Sequence, residues 1–235
     1  MKKLVIIPAY NEAASIANTV KDLKLNAPDF DYVVINDGSK DNTTEVCENN
    51  SLNYIDLSIN LGIGGAVQTG YLYAYYNDYD IAVQFDGDGQ HDASYLSYLE
   101  EVLVNNNADM VIGSRFIEKE GFQSSGLRRF AIKYFTILIK ILTGKKITDP
   151  TSGFRMCNNR TIKTFALNYP KDYPEPETVV AILKNKYIVV EAPVIMKARE
   201  QGISTISPIR SIYYMIKVTL AILIERTRGG YNDDI

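Results

Sequence analysis

Cysteine is scarce in this chain. Cys47 and Cys157 stand alone among 235 residues, with no C-x-x-C spacing. Two isolated thiols without a secretory context exclude a disulfide framework and suggest a reduced, cytoplasmic protein. Long apolar runs are missing as well, and none reaches the about 20 residues that a bilayer span requires. Met1-Lys2-Lys3 resembles the basic start of a signal peptide, but the apolar run Leu4 to Ile7 is stopped by Pro8 and then Glu12. That run is too short for a signal core and reads as a first strand. Internal repeats, low-complexity tracts and linker-like stretches are also lacking, so residues 1–235 read as one domain.

Basic residues are few in the first half. Residues 1–114 carry 5 Lys/Arg against 17 Asp/Glu, residues 115–163 carry 11 against 3, and the rest carry 9 against 8. An acidic half followed by a basic segment suggests a metal-dependent site facing an anionic surface or acceptor, although solvated faces would give the same count. The basic segment is interleaved with aliphatic residues and the net charge is −3, which argues against nucleic-acid binding. Hydrophobic residues at 46% and charged residues at 23% are those of an ordinary globular protein.

Short apolar runs alternate with helical spacing. Val5 to Pro8 reads as a strand, Ala13 to Leu25 as a helix, Tyr32 to Ile35 as a strand and Asp41 to Asn49 as a helix. Strand candidates at Asn53 to Leu57, Ile81 to Phe85 and Met110 to Gly113 follow, separated by a helix ending near Tyr76 and another over Ala93 to Val104. This alternation predicts an α/β fold with a mainly parallel, doubly wound sheet, whose ligands bind outside the carboxyl ends of the strands. Pro8 to Glu12, Asn36 to Ser39, Asp86 to Asp88 and Gly113-Ser114-Arg115 all fall at such ends. The loop Gly62-Ile63-Gly64-Gly65 lacks the G-x-G-x-x-G spacing and follows the third strand, so a nicotinamide cofactor is not expected. It permits close approach of backbone to a ligand, or helix packing on the sheet.

The octet Gln84-Phe85-Asp86-Gly87-Asp88-Gly89-Gln90-His91 ends the fourth strand. Residues two apart on a strand share a face, so Asp86 and Asp88 point the same way. Two acids there repel unless a cation sits between them. Mg²⁺ or Mn²⁺ carrying a diphosphate on its far side satisfies that, because hard divalent ions take carboxylate and phosphate oxygens. An Asp/Gly turn is the plainer reading. A sugar nucleotidyltransferase, whose sheet is similar, needs a glycine-rich loop with a basic residue straight after the first strand, and Pro8 to Glu12 offers neither.

The segments Ile7-Pro8-Ala9-Tyr10-Asn11-Glu12, Asn36-Asp37-Gly38-Ser39, Asn60 with its glycines, Asp86 to His91, Gly113-Ser114-Arg115 and Asp149 to Arg155 together resemble inverting family 2 glycosyltransferases of GT-A fold. In particular they resemble the polyprenyl-phosphate sugar synthases similar to dolichyl-phosphate mannose synthase. The resemblance implies that Pro8, Tyr10, Glu12 and Asp37 hold the base and ribose of a nucleotide sugar, expected to be uridine-linked. It further implies that Asp86 and Asp88, with Gln90, hold the metal and diphosphate. Residues 1–114 would be the nucleotide-sugar half and 115–235 the acceptor and membrane-surface half. Asn36 departs from the Asp that many members carry there.

A hydroxyl acceptor needs a general base, whereas a phosphate monoester is already anionic and needs cations to position it. Arg115, Arg128, Arg129 and Arg155 supply guanidinium groups in the basic segment, and the resemblance points to Arg115 with the Arg128/Arg129 pair. Each could instead sit on the surface or cap a helix. An acid near Pro170 to Glu177 is implied on the acceptor side, with Glu177 the candidate and Glu175 beside it. Phe130 to Leu142 and Ser211 to Ile224 are apolar stretches with few lysines, readable as interfacial helices or as core. Attachment peripherally at the inner membrane face, a small membrane-protein partner or self-association would each cover such surface. Two other readings stay open: transfer to a saccharide hydroxyl with Glu177 or Asp149 as base, and a non-catalytic nucleotide-sugar-binding module.

Overall fold

The computed structural model describes residues 1–118, 126–172, 174–197 and 208–227, with 127, 128 and 208–212 described by backbone alone. The first half alternates strictly: β1 (Lys3–Ala9), α1 (Ile16–Asn26), β2 (Asp31–Asn36), α2 (Thr43–Asn49), β3 (Tyr54–Asp56), α3 (Gly62–Tyr76), β4 (Ile81–Gln84), α4 (Leu96–Asn105) and β5 (Met110–Ser114). After it come α5 (Gly126–Thr143), β6 (Arg155–Asn158), α6 (Asn159–Leu167), α7 (Pro174–Lys184), β7 (Val189–Pro193) and α8 (Pro208–Thr227). The expected elements of the first half are present within a few residues of their predicted bounds.

The seven strands form one sheet in the order β3-β2-β1-β4-β6-β5-β7. Every pairing is parallel except those of β6, which runs antiparallel to both β4 and β5. The apolar pattern of the sequence does not predict β6 or β7. Arg155-Met156-Cys157-Asn158 has no alternation and polar residues at both ends, so only its place between two buried strands makes it one.

Strand alternation sorts the core onto two faces. Leu4, Ile6, Val33 and Ile35 pack with α3, α6 and α7, while Val5, Ile7 and Val34 pack with Ile16, Val20 and Leu23 of α1 and with Leu96 and Leu99 of α4. Gly70 lets α3 lie close on β1, since a Cβ there would fall 2.1 Å from Ile6 Cγ2. The glycine-rich loop serves a second contact. A Cβ at Gly64 would fall 2.1 Å from the Pro170 carbonyl oxygen, so only glycine lets the first turn of α3 dock on the segment leading to α7. Cys47 and Cys157 are buried and unbridged, as expected.

α5 uses Ile132, Phe135 and Ile139 as core. Its outward face carries exposed Phe130, Ile137 and Ile141 beside Lys133 and Lys140. On α8, Val218 and Ile222 are buried, while Tyr213, Ile216, Leu220, Leu223 and Ile224 form an exposed stripe. The two helices are thus core on one side and apolar on the other. Among the described residues no helix is long and apolar enough to cross a membrane.

Candidate active site

At the carboxyl ends of β1, β2 and β4 lies a cavity of about 400 Å³. Pro8 can stand in β1 because β4 pairs only with Lys3 to Ile6, leaving no sheet partner on that side to miss a proline N–H. Beyond it, Asn11 adopts φ +57°, a left-handed conformation that Asn tolerates better than most side chains. Its N–H donates to Ser39 Oγ at 2.9 Å and its Oδ1 accepts from Lys40 N–H at 2.8 Å. Glu12 N–H donates to Thr43 Oγ1 at 3.0 Å. The loops after β1 and β2 are therefore laced together.

Asn36 lies beneath them, fully buried. Its Nδ2 donates to Asp56 Oδ1 at 2.7 Å and to Thr44 Oγ1 at 2.8 Å, and its Oδ1 accepts from the Ser39 hydroxyl. This explains the departure from Asp: a carboxylate at 36 would face that of Asp56. The side chain organises the loop and does not line the cavity. Asp37 does, with its Oδ1 accepting from Leu61 N–H at 2.7 Å. Burial raises its pKa, opposed by backbone N–H donors from Leu61 and Gly62. Gly38, at φ +62°, completes this turn, since a Cβ would meet the backbone of Ile59 and Asn60 at 2.8 Å.

The octet is braced from several sides. Gly87 carbonyl accepts from Thr19 Oγ1 of α1 at 3.2 Å, and Asp88 Oδ1 accepts from Gln90 N–H at 3.0 Å. His91, buried and stacked on Phe154 with centroids 4.7 Å apart, accepts the Asp86 N–H on Nδ1 at 3.0 Å. Burial lowers its pKa, with Asp86 opposing, so the ring is held neutral with its proton on Nε2, 3.6 Å from Asp86 Oδ2. The sequence marks His91 only as the last residue of the octet. Its signal was only its position five residues after Asp86.

The cavity brings together Pro8, Tyr10, Glu12, Asp37, Asp86 and Asp88, joined by Asn60, Gln84 and Glu175. Its described lining holds five carboxylates, from Glu12, Asp37, Asp86, Asp88 and Glu175, and no Lys, Arg or His. Among the described residues no three His, Cys, Asp or Glu side chains are grouped to hold an ion by themselves. Asp86 and Asp88 fit a divalent cation as two oxygen donors whose remaining ligands would come from elsewhere, such as phosphate oxygens.

Other candidates are placed differently. Gln90 does not line the cavity; its Nε2 lies 3.5 Å from the Lys197 carbonyl, and its own carbonyl accepts from Lys197 N–H at 2.9 Å. Glu175, not Glu177, faces the cavity. Arg155 is 1% exposed, with Nε donating to the Ser152 carbonyl, Nη1 to Thr178 Oγ1 and Nη2 to the Pro150 carbonyl, all within 2.9 Å. It braces the 150–152 turn and is not presented to an acceptor. Arg115, also buried, grips Asp149 at two points, and the end of β5 is not among the residues that line the cavity. That pairing also occupies Asp149, which removes it as a candidate base. Arg129 is exposed in the first turn of α5, and the side chain of Arg128 lies outside the described residues.

Comparison with known proteins agrees with this architecture. The chain is 30% identical over 213 residues to the UDP-N-acetylglucosamine–dolichyl-phosphate N-acetylglucosaminyltransferase of Methanococcus voltae, covering 81% of this chain and 83% of that protein. It is 30% identical over 216 residues to the undecaprenyl-phosphate mannosyltransferase of Micrococcus luteus, covering 88% of each. Glucosyl-3-phosphoglycerate synthase of Mycobacterium tuberculosis, solved with Mn²⁺ and UDP-glucose, superposes with a TM-score of 0.73 at 16% identity over 100% of this chain and 81% of that one. The fold is GT-A. Residues 4–165 match the model for glycosyl transferase family 2, and the chain belongs to that family of sugar-transferring enzymes.

Proposed function

We propose that this protein transfers a hexose or N-acetylhexosamine from a uridine nucleotide sugar to the phosphate of a polyprenyl carrier, with inversion and with Mg²⁺ or Mn²⁺. The observation that carries this reading is the cavity lined by five carboxylates and no described cation. Such a cavity repels a diphosphate unless a divalent ion bridges them. Pro8, Tyr10, Glu12 and Asp37 take the nucleoside and Asp86 with Asp88 takes the ion. The relatives' names, which pair nucleotide or mannosyl donors with dolichyl or undecaprenyl phosphate, support donor and acceptor class. The Mn²⁺ and UDP-glucose of the structural neighbour support the metal.

When bound, the ion neutralises charge on the departing diphosphate. The protein's own residues orient the reactants. An acceptor phosphate oxygen attacks the anomeric carbon from the face opposite the diphosphate, and the electron pair of the broken C–O bond leaves with the nucleoside diphosphate. No base is required, which suits the engagement of Asp149 by Arg115. Arg129, with Arg128 beside it in sequence, positions the acceptor phosphate. Arg115 acts indirectly by holding Asp149 and its turn. The apolar outer faces of α5 and α8, with Lys133 and Lys140, suit peripheral attachment to the inner face of the membrane.

The test is transfer of radiolabelled sugar from UDP-sugars, with Mn²⁺, to undecaprenyl phosphate in detergent and, separately, to oligosaccharides. Label in the lipid alone is expected. Label in saccharides alone overturns the acceptor assignment.

A further inference from the structure

Gln84 closes β4 in the middle of the sheet, after the apolar, buried Ile81, Ala82 and Val83. It is 1% exposed yet lines the cavity, which puts it at the floor. Its side chain shares a strand face with Asp86, two residues on. A primary amide offers two donors and two acceptor lone pairs. Here Nε2 lies 3.5 Å from Asp86 Oδ1, and Oε1 receives the Tyr169 hydroxyl at 3.5 Å. Both contacts are at the outer limit of hydrogen bonding.

A buried amide so weakly engaged opposes folding, whereas an apolar side chain of equal size would carry no such penalty. Residues that break a packing rule without local gain concentrate where function needs them. The backbone beside the amide is also cleared. A Cβ at Gly153 would fall 2.9 Å from Gln84 Nε2 and 3.2 Å from Asp86 Oδ1.

We infer that Gln84 is a specificity-determining residue that hydrogen-bonds a hydroxyl or acetamido group of the transferred sugar, deeper in the cavity than the diphosphate. The inference rests on the nucleotide-sugar reading above. An amide that both donates and accepts matches a hydroxyl. The α3 side chains in the lining, Ile63 and Ala66, are apolar and offer a hydroxyl no partner. A site that hydrogen-bonds a substrate hydroxyl discriminates far more strongly than an apolar pocket does.

The test is Gln84→Met, with Gln84→Glu as a second variant. Three readouts are thermal denaturation, calorimetric affinity for UDP with Mn²⁺, and kcat/KM across UDP-sugars that differ at one hydroxyl. Gln84→Met should melt no lower than the parent and bind UDP equally. Its kcat/KM for the best donor should fall about ten-fold or more, while the preference for that donor over its epimer collapses. Gln84→Glu, which keeps acceptors and loses the donors, should shift the preference among donors. An unchanged donor ratio overturns the inference, as does a fall in UDP affinity matching the fall in turnover. A lowered melting temperature with uniform loss across donors assigns Gln84 a structural role and overturns it too. If the parent protein neither binds UDP nor turns over any UDP-sugar, the nucleotide-sugar reading itself fails, and that is visible before any variant is compared.

Discussion

Arg115 and Asp149 form a two-point ion pair at the end of β5, with Nε to Oδ2 at 2.7 Å and Nη2 to Oδ1 at 2.8 Å. Both side chains are buried. Glu191 of β7 holds the same turn from the other side, its carboxylate accepting the N–H groups of Thr148 at 2.7 Å and Asp149 at 2.9 Å. Burial raises the Glu191 pKa against those donors. An acid of β7 and an Arg after β5 thus fix one loop between them.

Removing one member of such a pair strands a buried charge. Asp149→Ala should lose about 3–5 kcal/mol of stability in urea denaturation. Arg115→Met added to it should recover part of that loss. Unchanged stability in the single variant would mean that the pair does not hold the turn.

Asn36→Asp should be destabilising because it sets a second carboxylate where Nδ2 now meets Asp56 at 2.7 Å. Repulsion raises the folded-state pKa of the pair above the unfolded value of about 3.9. The penalty is therefore absent below that pH and grows as pH rises through the raised value, reaching about 1–3 kcal/mol at pH 7. Urea midpoints at several pH values measure it. Asn36→Asp combined with Asp56→Asn should restore stability.

Asp88→Ala should abolish Mn²⁺-dependent turnover and weaken Mn²⁺ binding in the presence of UDP, while the protein stays folded by circular dichroism. Full activity in this variant would refute the metal assignment. Arg129→Ala should instead raise KM for polyprenyl phosphate about ten-fold with UDP affinity unchanged.

Gly64→Ala forces a methyl against the Pro170 and Lys171 carbonyls, which would lie 2.1 and 2.3 Å away. The expected cost is about 1–3 kcal/mol. Because that segment leads into α7 and Glu175, UDP affinity should fall as well, which calorimetry would read. Unaltered stability would show that the segment yields freely.

Much of the site was legible because the signals are local. Apolar runs ending in polar loops located the ends of β1, β2 and β4. Asp86 and Asp88 both line the cavity, but β4 ends at Gln84 and Asp88 stands in the turn that follows, so turn geometry and not strand alternation brings the second acid there. Other parts depended on partners remote in sequence. Arg155 reads as a free cation until Thr178 and the Pro150 carbonyl close around it. Asn36 reads only as a departure from the family's Asp until Asp56 is seen opposite. Glu175 and Glu177 differ by about 200° around a helix, and the packing of α7 decides which one faces the cavity.

The sequence by itself determined the order of strands and helices in the first half and the rim that carries the cavity, since periods of 2 and 3.6 residues are properties of the local chain. Only the tertiary structure decided that β6 enters antiparallel, that Arg115 and Arg155 are spent on holding turns, and that Gln84 lies at the cavity floor. Those outcomes turn on which distant groups meet in a buried place, where a charge must find a partner and a carbonyl must find a donor.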